Sequence, residues 1–159
     1  FLDGGSTVLA LAALLTQRTD ITVVTNSLRV AGELAGGGPR LILVGGELRR
    51  LSQTFVGPMT RFTLEQIHVG TAFIGTIGLS TVHGLTTTDP REAYTKSLIM
   101  ERAGQVVLLA DSSKIGKVSF ARFGALPRVK TLITDGGIPR GAAKELGQAG
   151  IKILIAAKG

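Results

Sequence analysis

Short apolar runs rich in β-branched residues recur along this chain and alternate with stretches of helical periodicity. Each run is almost continuously apolar, a pattern typical of strands covered on both faces of a parallel sheet. Besides Phe1 and Leu2, which resemble the middle of a strand, the runs lie at Ile21–Thr25, Leu41–Val44, Thr71–Ile74, Val106–Ala110, Thr131–Thr134 and Lys152–Ile155. The alternation predicts an α/β fold: an open, doubly wound, mostly parallel sheet with helices on both faces.

Helices are predicted between these strands. They lie at Val8–Leu15, at Leu28–Leu34, after Pro58, from Asp89 onward, and at Arg140–Gln148 with an end at Gly150. The spacing in the second helix predicts a buried face made of Leu28, Ala31, Leu34 and Ala35. In the third helix, Phe62 and Ile67 are expected to face inward.

Length and composition fit one compact domain spanning residues 1–159. Hydrophobic residues make up 44% of the chain, yet no apolar run approaches the roughly 18 residues that a membrane span needs. There is no cysteine and no recognisable secretory leader, so we predict a cytoplasmic protein without a membrane partner. The start in mid-strand, without Met, predicts that the chain is a fragment of a longer protein.

The net charge of +7 favours anionic partners, although a solubility bias gives the same balance. The basic residues are scattered, and aromatic residues make up only 4% of the chain, with no Trp. That is too few for a platform on which nucleic-acid bases stack. We therefore expect this domain to bind a small anion rather than to recognise nucleic acid itself.

Small hydrogen-bonding residues and glycines follow five of the predicted strands. In open α/β sheets, ligands bind beyond the carboxyl ends of the strands, so these residues predict one shared polar cleft. The candidates are Asp3, Gly5, Ser6 and Thr7; Thr25 and Asn26; Gly45 and Gly46; Gly75; and Asp111 and Lys114.

The segment Gly5-Ser6-Thr7 has the strongest chemical interpretation. Glycine lets backbone N–H groups approach an anion, the hydroxyls add donors, and the N-terminus of the following helix supplies a positive dipole. A lysine beyond another strand, Lys114, is well placed to neutralise a phosphate. The alternative is that Ser6 or Thr7 is an ordinary N-cap and Lys114 a solvated loop lysine.

Other candidates also have structural interpretations. Thr25 and Asn26 are able to cap the second helix, and Gly45-Gly46 to form a tight turn. Asp89-Pro90-Arg91-Glu92 predicts an N-cap with proline at N1 and an acid at N3, which makes Glu92 a capping-box residue. Lys96, four residues later, then forms a surface salt bridge with Glu92.

No metal site is expected, because His68 and His83 have no partner at metal-ligand spacing. No cofactor is predicted either.

Six linked segments resemble the C-terminal sensor domain of DeoR-type bacterial transcriptional repressors over essentially the whole chain. They begin at Asp3 (DGGST), Val24 (VTNS), Leu43 (LVGGELR), Phe73 (FIG), His83 (HGLTT) and Leu109 (LADSSK). The resemblance implies a fold shared with ribose-5-phosphate isomerase and a phosphorylated sugar or polyol as effector. It also implies a winged helix-turn-helix DNA-binding domain N-terminal to this chain, homo-oligomers, and no enzymatic activity.

Carried over residue by residue, the resemblance puts the phosphate loop at Gly5, Ser6 and Thr7. It also implies that Thr25, Asn26, Gly45 and Gly46 line the cleft. By the same resemblance, the residues that reach the sugar portion of the ligand or the far rim of the cleft are Glu92, Lys96, Asp111 and Lys114. One position departs: many relatives have an acid where this chain has Ile77. An isoleucine cannot take a proton, which weakens the alternative of a sugar-phosphate isomerase with Glu92 as its base. A plain oligomerisation module with a vestigial cleft is a third interpretation.

Overall fold

A computed structural model of the chain describes residues 1–157. The strands are β1 Thr22–Thr25, β2 Arg40–Leu43, β3 Glu47–Arg49, β4 Thr54–Val56, β5 Val69–Gly75, β6 Gly78–Ser80, β7 Gly84–Thr87, β8 Ala103–Leu109, β9 Ala121–Gly124, β10 Val129–Thr134 and β11 Lys152–Ile155. The helices are α1 Ser6–Ala13, α2 Leu28–Leu34, α3 Arg61–Leu64, α4 Pro90–Glu101 and α5 Arg140–Gln148, with 3-10 turns at Pro58–Thr60, Ser112–Lys114 and Leu126–Arg128.

The six predicted strands form one parallel sheet, as expected. One part has the order β11-β10-β8-β5 and the other pairs β1 with β2. Residues 1–3 join the two parts, because Leu2 bridges in parallel to Thr25 of β1 and to Phe73 of β5. The Leu2 N–H donates to the Val24 carbonyl at 2.8 Å, and the Asp3 N–H donates to the Phe73 carbonyl at 3.0 Å.

Both faces of the sheet are covered, which confirms the doubly wound prediction. Strand β8 shows why its apolar run is continuous. Val106 and Leu108 belong to a core cluster that includes residues of α3, α4 and α5. Val107 and Leu109 belong to a second cluster with residues of α1 and α2. From Val106 to Leu109, alternate side chains of the strand thus enter two cores, and all four are buried.

Two smaller antiparallel units were not predicted. Strands β3 and β4 form a hairpin, and β6, β7 and β9 form a three-stranded sheet in the order β6-β7-β9. These strands have three or four residues each, too short for a period-2 pattern to stand out. Helix α4 packs against β9 of the small sheet, and this places α4 between that sheet and the cleft.

The predicted buried faces of two helices were partly wrong. In α2 the buried residues are Val30, Ala31 and Leu34, whereas Leu28 is 44% exposed and Ala35 is an exposed C-cap. Leu28 and Arg29, the first two residues of the helix, are both exposed, so the face that meets the core begins at Val30. In the third segment Phe62 is 87% exposed and Leu64 enters the core instead. Ile67 packs against the core as predicted.

Helix α5 ends as predicted. Gly150 has a φ of +85°, and the Ile151 N–H donates back to the Leu146 carbonyl, as in a glycine-terminated helix. Within residues 1–157 no helix has the length and apolar character to cross a membrane.

Candidate functional site: a polar cleft at the carboxyl edge of the sheet

A cleft of about 540 Å³ opens at the carboxyl edge of the parallel sheet. The floor of the cleft is formed by the chain that follows residues 1–3 and by the ends of β5 and β8. Its walls are formed by α4, the β3–β4 hairpin and the end of β7. Its lining residues are Gly4, Gly5, Ser6, Thr7, Val8, Arg29, Arg49, Leu51, Ser52, Gly75, Thr76, Ile77, Thr87, Thr88, Glu92, Lys96, Leu109, Ala110, Asp111 and Lys114.

Most of the predicted site residues are brought together here. Those that line the cleft are Gly5, Ser6, Thr7, Gly75, Glu92, Lys96, Asp111 and Lys114. Those that do not line it are Asp3, Thr25, Asn26, Gly45 and Gly46.

Thr25 and Asn26 connect neighbouring segments instead of lining the cleft. The Thr25 hydroxyl donates to the Leu2 carbonyl at 2.6 Å and accepts the Ser27 N–H at 3.0 Å. The Asn26 amide donates to the Phe55 carbonyl at 3.0 Å. Both side chains are buried, and their hydrogen bonds fasten β1 to residues 1–3 and to β4. These polar residues at the end of β1 therefore serve to connect neighbouring segments of the fold.

Gly45 and Gly46 lie in the connection from β2 to β3, away from the cleft lining. A Cβ on Gly46 would come within 2.8 Å of the Thr60 methyl carbon and 3.2 Å of the Val56 carbonyl oxygen. This glycine lets the chain pass close to the turn at Pro58–Thr60, as a tight-turn interpretation expects.

The N-terminus of α1 faces the cleft. Gly5 occupies the N-cap with a φ of +121° and so offers no capping side chain, a conformation that favours glycine. Ser6 and Thr7 are exposed, and no acidic residue lies in the first turn. The first N–H groups of a helix have no carbonyl partner within it, so this end presents donors and positive dipole to the cleft.

Asp3 lies beneath the cleft and forms an ion pair with Lys96. Its carboxylate accepts the ammonium of Lys96 and, at 3.1 Å, the Gly75 N–H. Lys96 also donates to the Gly75 carbonyl at 3.0 Å and lies 5.3 Å from the centre of the Phe123 ring. The predicted contact of Lys96 with Glu92 is present at 3.9 Å, but it does not lie on the surface, because Lys96 is 4% exposed. The nearest carboxylate to Lys96 is that of Asp3.

Glu92 points into the cleft and not toward the N-cap. One carboxylate oxygen accepts the Thr87 hydroxyl at 2.9 Å, and the other lies 3.9 Å from the Lys96 ammonium. The capping role predicted for this side chain is wrong, because Asp89 alone caps the helix with its side chain. Asp89 accepts the N–H groups of Arg91 at 2.8 Å and Glu92 at 3.2 Å, which confirms the predicted N-cap.

Arg49 is a cleft residue that sequence reasoning missed. Its guanidinium lies 3.4 Å from the Asp89 carboxylate and 3.9 Å from that of Glu92. It also donates to the hydroxyls of Ser52 at 3.1 Å and Thr88 at 3.2 Å. These contacts tie the β3–β4 hairpin to the start of α4. The only sequence signal for Arg49 is its place at the end of the glycine-containing segment that begins at Leu43.

Asp111 and Lys114 lie on the turn that follows β8. The Asp111 carboxylate accepts the Ser113 N–H at 2.9 Å, and hydrogen bonds from Ser113 hold the pKa of Asp111 below its usual value. Lys114 closes the turn, with its N–H donating to the Asp111 carbonyl at 3.0 Å. In the salt bridges among residues 1–157, neither Lys114 nor Arg29 has a carboxylate partner.

Metal binding has no geometric support in the part of the chain that the structure describes. No group of three or more His, Asp or Glu side chains there is arranged to hold a metal ion.

Comparison with known proteins identifies the family. The family model described as the DeoR C terminal sensor domain matches residues 1–136. The chain is 37% identical over 154 residues to the HTH-type transcriptional regulator GlpR of Haloferax volcanii, covering 97% of this chain and 60% of that protein. It is 34% identical over 155 residues to the HTH-type transcriptional repressor GlcR of Bacillus subtilis, covering 97% and 59%.

A third relative is the lactose phosphotransferase system repressor of Streptococcus mutans, 36% identical over 138 residues, or 85% of this chain and 54% of that protein. The chain therefore spans somewhat more than half the length of each of these relatives.

Proposed function

This chain belongs to the family of DeoR C-terminal sensor domains, and we propose that it binds a phosphorylated sugar or polyol as the effector of a transcriptional repressor. One observation carries the proposal. The N-terminus of α1 opens into a cleft with two cationic side chains, Arg29 and Lys114, that have no salt-bridge partner among residues 1–157. Unpaired N–H groups and cations without a salt-bridge contact together suit a phosphate.

The far wall suits the hydroxyls of a sugar or polyol. Glu92 supplies an acceptor and Thr87 and Thr88 supply hydroxyls, the groups that read O–H positions in a ligand. The charges there are already balanced, because Glu92 lies near Lys96 and Arg49. This wall is therefore proposed to hold the uncharged part of the ligand, with the phosphate at α1.

For the whole protein we propose regulation by linkage. An effector that prefers one conformation or oligomeric arrangement shifts the population toward it. DNA-binding segments attached to that arrangement then gain or lose the spacing that fits two operator half-sites. The relatives named above are transcriptional regulators and repressors, which supports a sensing rather than an enzymatic role. Homo-oligomer formation is part of this proposal.

The test is a thermal-shift panel of sugar and polyol phosphates beside their unphosphorylated parents and inorganic phosphate. A ligand at 100 times its dissociation constant stabilises the fold by about 2.7 kcal/mol, which is easily measured. We expect one phosphorylated compound to raise Tm most and its parent to have no effect. NMR spectra recorded after incubation should show that compound unchanged, since turnover would favour an isomerase.

Variants locate the site. K114Q, R29Q and the double change S6A/T7A should each reduce the ligand-induced shift. K117Q is the matched control, because Lys117 is an exposed lysine three residues from Lys114 and does not line the cleft. If no compound shifts the transition, or if K117Q reduces the shift as much as K114Q, the cleft is not the effector site and an oligomerisation role becomes the better interpretation.

A further inference from the structure

A carboxylate from a neighbouring strand holds the turn that carries Lys114 into the cleft. Asp135 comes directly after β10, and one of its carboxylate oxygens accepts the Ser112 N–H at 2.7 Å. The other oxygen accepts the Gly137 N–H, also at 2.7 Å. One side chain thus bridges the two chain segments that leave β8 and β10 at the carboxyl edge of the sheet.

We infer that Asp135 is a positioning residue for anion binding: it fixes the Ser112–Lys114 turn and so holds Lys114 at the cleft. Asp135 does not itself line the cleft, so it acts on a ligand only through this turn. The inference rests on the proposed function, because it takes Lys114 as a phosphate contact.

The turn is fastened at both ends, and Asp135 provides one of the fastenings. At its far end, the Gly116 N–H donates to the Leu79 carbonyl of β6 at 2.7 Å. At its start, the Ser112 N–H meets only the Asp135 carboxylate among the hydrogen bonds of the described residues. Without that carboxylate the first residue of the turn loses its anchor, and Lys114 is only two residues further on.

The two turns also approach each other closely enough to require glycine. A Cβ on Gly137 would lie 2.5 Å from the Ser112 hydroxyl oxygen and 2.8 Å from an Asp135 carboxylate oxygen. Backbone N–H groups of Ser112 and Gly137 hold the pKa of the Asp135 carboxyl below its usual value. The carboxylate is therefore the form that these donors select, and it is present at neutral pH.

The direction in which phosphate affinity changes when Asp135 is replaced distinguishes a positioning role from a purely electrostatic one. Asp135 carries a negative charge near a cleft proposed to bind an anion, so its removal alone would strengthen phosphate binding. A positioning role predicts the opposite. In D135N the side chain keeps its shape but turns an NH₂ group toward one of the two N–H donors, which disrupts one of the hydrogen bonds.

The experiment measures the dissociation constant of inorganic phosphate by calorimetry for wild type, D135N, K114Q and the double variant D135N/K114Q. We expect D135N to weaken binding about tenfold, a ratio equivalent to about 1.4 kcal/mol. In the K114Q background D135N should cause little further loss, because the two changes remove the same contact. D20N is the control, since Asp20 is an exposed aspartate paired with Arg18 and lies outside the cleft lining.

Amide hydrogen exchange reports on the turn without any ligand. We expect the Ser112 amide to exchange faster in D135N than in wild type, with no such change in D20N. Phosphate binding that is equal or tighter in D135N, alongside weaker binding in K114Q, would overturn the inference alone. Equal binding in K114Q and wild type would instead remove Lys114 from the proposed site, and the inference with it.

Discussion

Asp3 and Lys96 lie 93 residues apart in the sequence and form an ion pair whose side chains are only 2% and 5% exposed. Asp3 directly precedes the glycines that lead into α1, and Lys96 lies in the middle of α4. The Gly75 backbone contacts both side chains, as acceptor for Lys96 and donor for Asp3. The pair therefore holds three parts of the cleft at one point.

Removing one member of this pair should be strongly destabilising. An uncompensated buried charge typically costs about 3–5 kcal/mol, a large share of the stability of a domain. We expect K96M and D3N each to lose stability in urea denaturation, and D3N/K96M to lose less than the sum of the two. Asn is chosen at position 3 because its amide oxygen is still able to accept the Gly75 N–H.

The exposed pair Arg18–Asp20, with side chains 53% and 65% exposed, supplies the control. R18Q should leave the urea midpoint unchanged, because exposed pairs contribute little. Strictly additive losses in D3N/K96M would mean that the two residues are not energetically coupled.

A second prediction concerns the space beside Gly4. A Cβ at this position would overlap the Cγ2 methyl of Thr54, with the next Thr54 atom 3.8 Å away. We expect G4A to destabilise the domain by about 1–3 kcal/mol, the usual cost of overpacking. T54S removes that methyl and keeps the hydroxyl that hydrogen-bonds to Ser52, so G4A/T54S should recover most of the loss. Thermal unfolding of the four proteins is the measurement, and a double variant no more stable than G4A would contradict the steric explanation.

Ile77 lines the cleft with 45% of its surface exposed, and a charge there should affect ligands more than folding. Substitutions at exposed positions usually change stability by no more than about 0.5 kcal/mol. I77D should weaken the binding of inorganic phosphate about three- to tenfold through repulsion. I77N is the matched control, being similar in size but uncharged. Equal affinities of I77D and I77N would show that the anion binds away from this wall.

The lowered pKa of Asp135 predicts a pH dependence of stability. Hydrogen bonds from Ser112 and Gly137 favour the carboxylate in the folded state. At low pH the folded state therefore binds fewer protons than the unfolded state does. The stabilisation is therefore complete above the ordinary aspartate pKa of about 3.9 and is lost as the pH falls through the lower folded value. The difference in Tm between wild type and D135N should be constant from pH 6 to about pH 4 and should shrink as the pH falls further. A difference that does not shrink below about pH 4 would rule out the linkage.

The sequence predicted the large sheet and its helices well because each element carries its own local pattern. The second half of β8, Val106–Leu109, is an apolar run buried on both faces. Helix α4 follows an Asp89 N-cap with Pro90 at its first position, so neither element needs tertiary information to be recognised. The small sheet of β6, β7 and β9 was missed because its strands are short and because β9 pairs with a strand distant in the chain. Phe62 was misplaced because hydrophobicity alone does not say which side of a short helix meets the core.

The sequence predicted which residues lie at the cleft where backbone geometry decides their placement. It did not predict which side chains form ion pairs there. Ser6 and Thr7 follow from the strand–glycine–helix order. The closer pairing of Lys96 with Asp3, in addition to its contact with Glu92, depends on which residue the fold brings beneath α4. The role of Arg49 likewise depends on a hairpin placing it beside Asp89. Such pairings are set by tertiary contacts between distant segments and leave no periodic trace in the sequence.

The position of residues 1–3 between β1 and β5 has a kinetic consequence. Leu2 contacts strands that are roughly 20 and 70 residues later in the chain, so this insertion closes a long loop, and contacts of this kind slow folding. Among the described residues, only this segment links the β1–β2 pair to the sheet built on β5 by strand pairing. The same step sets the start of α1 at Ser6. The anion-facing helix end and the continuity of the sheet therefore depend on the same short segment of the chain.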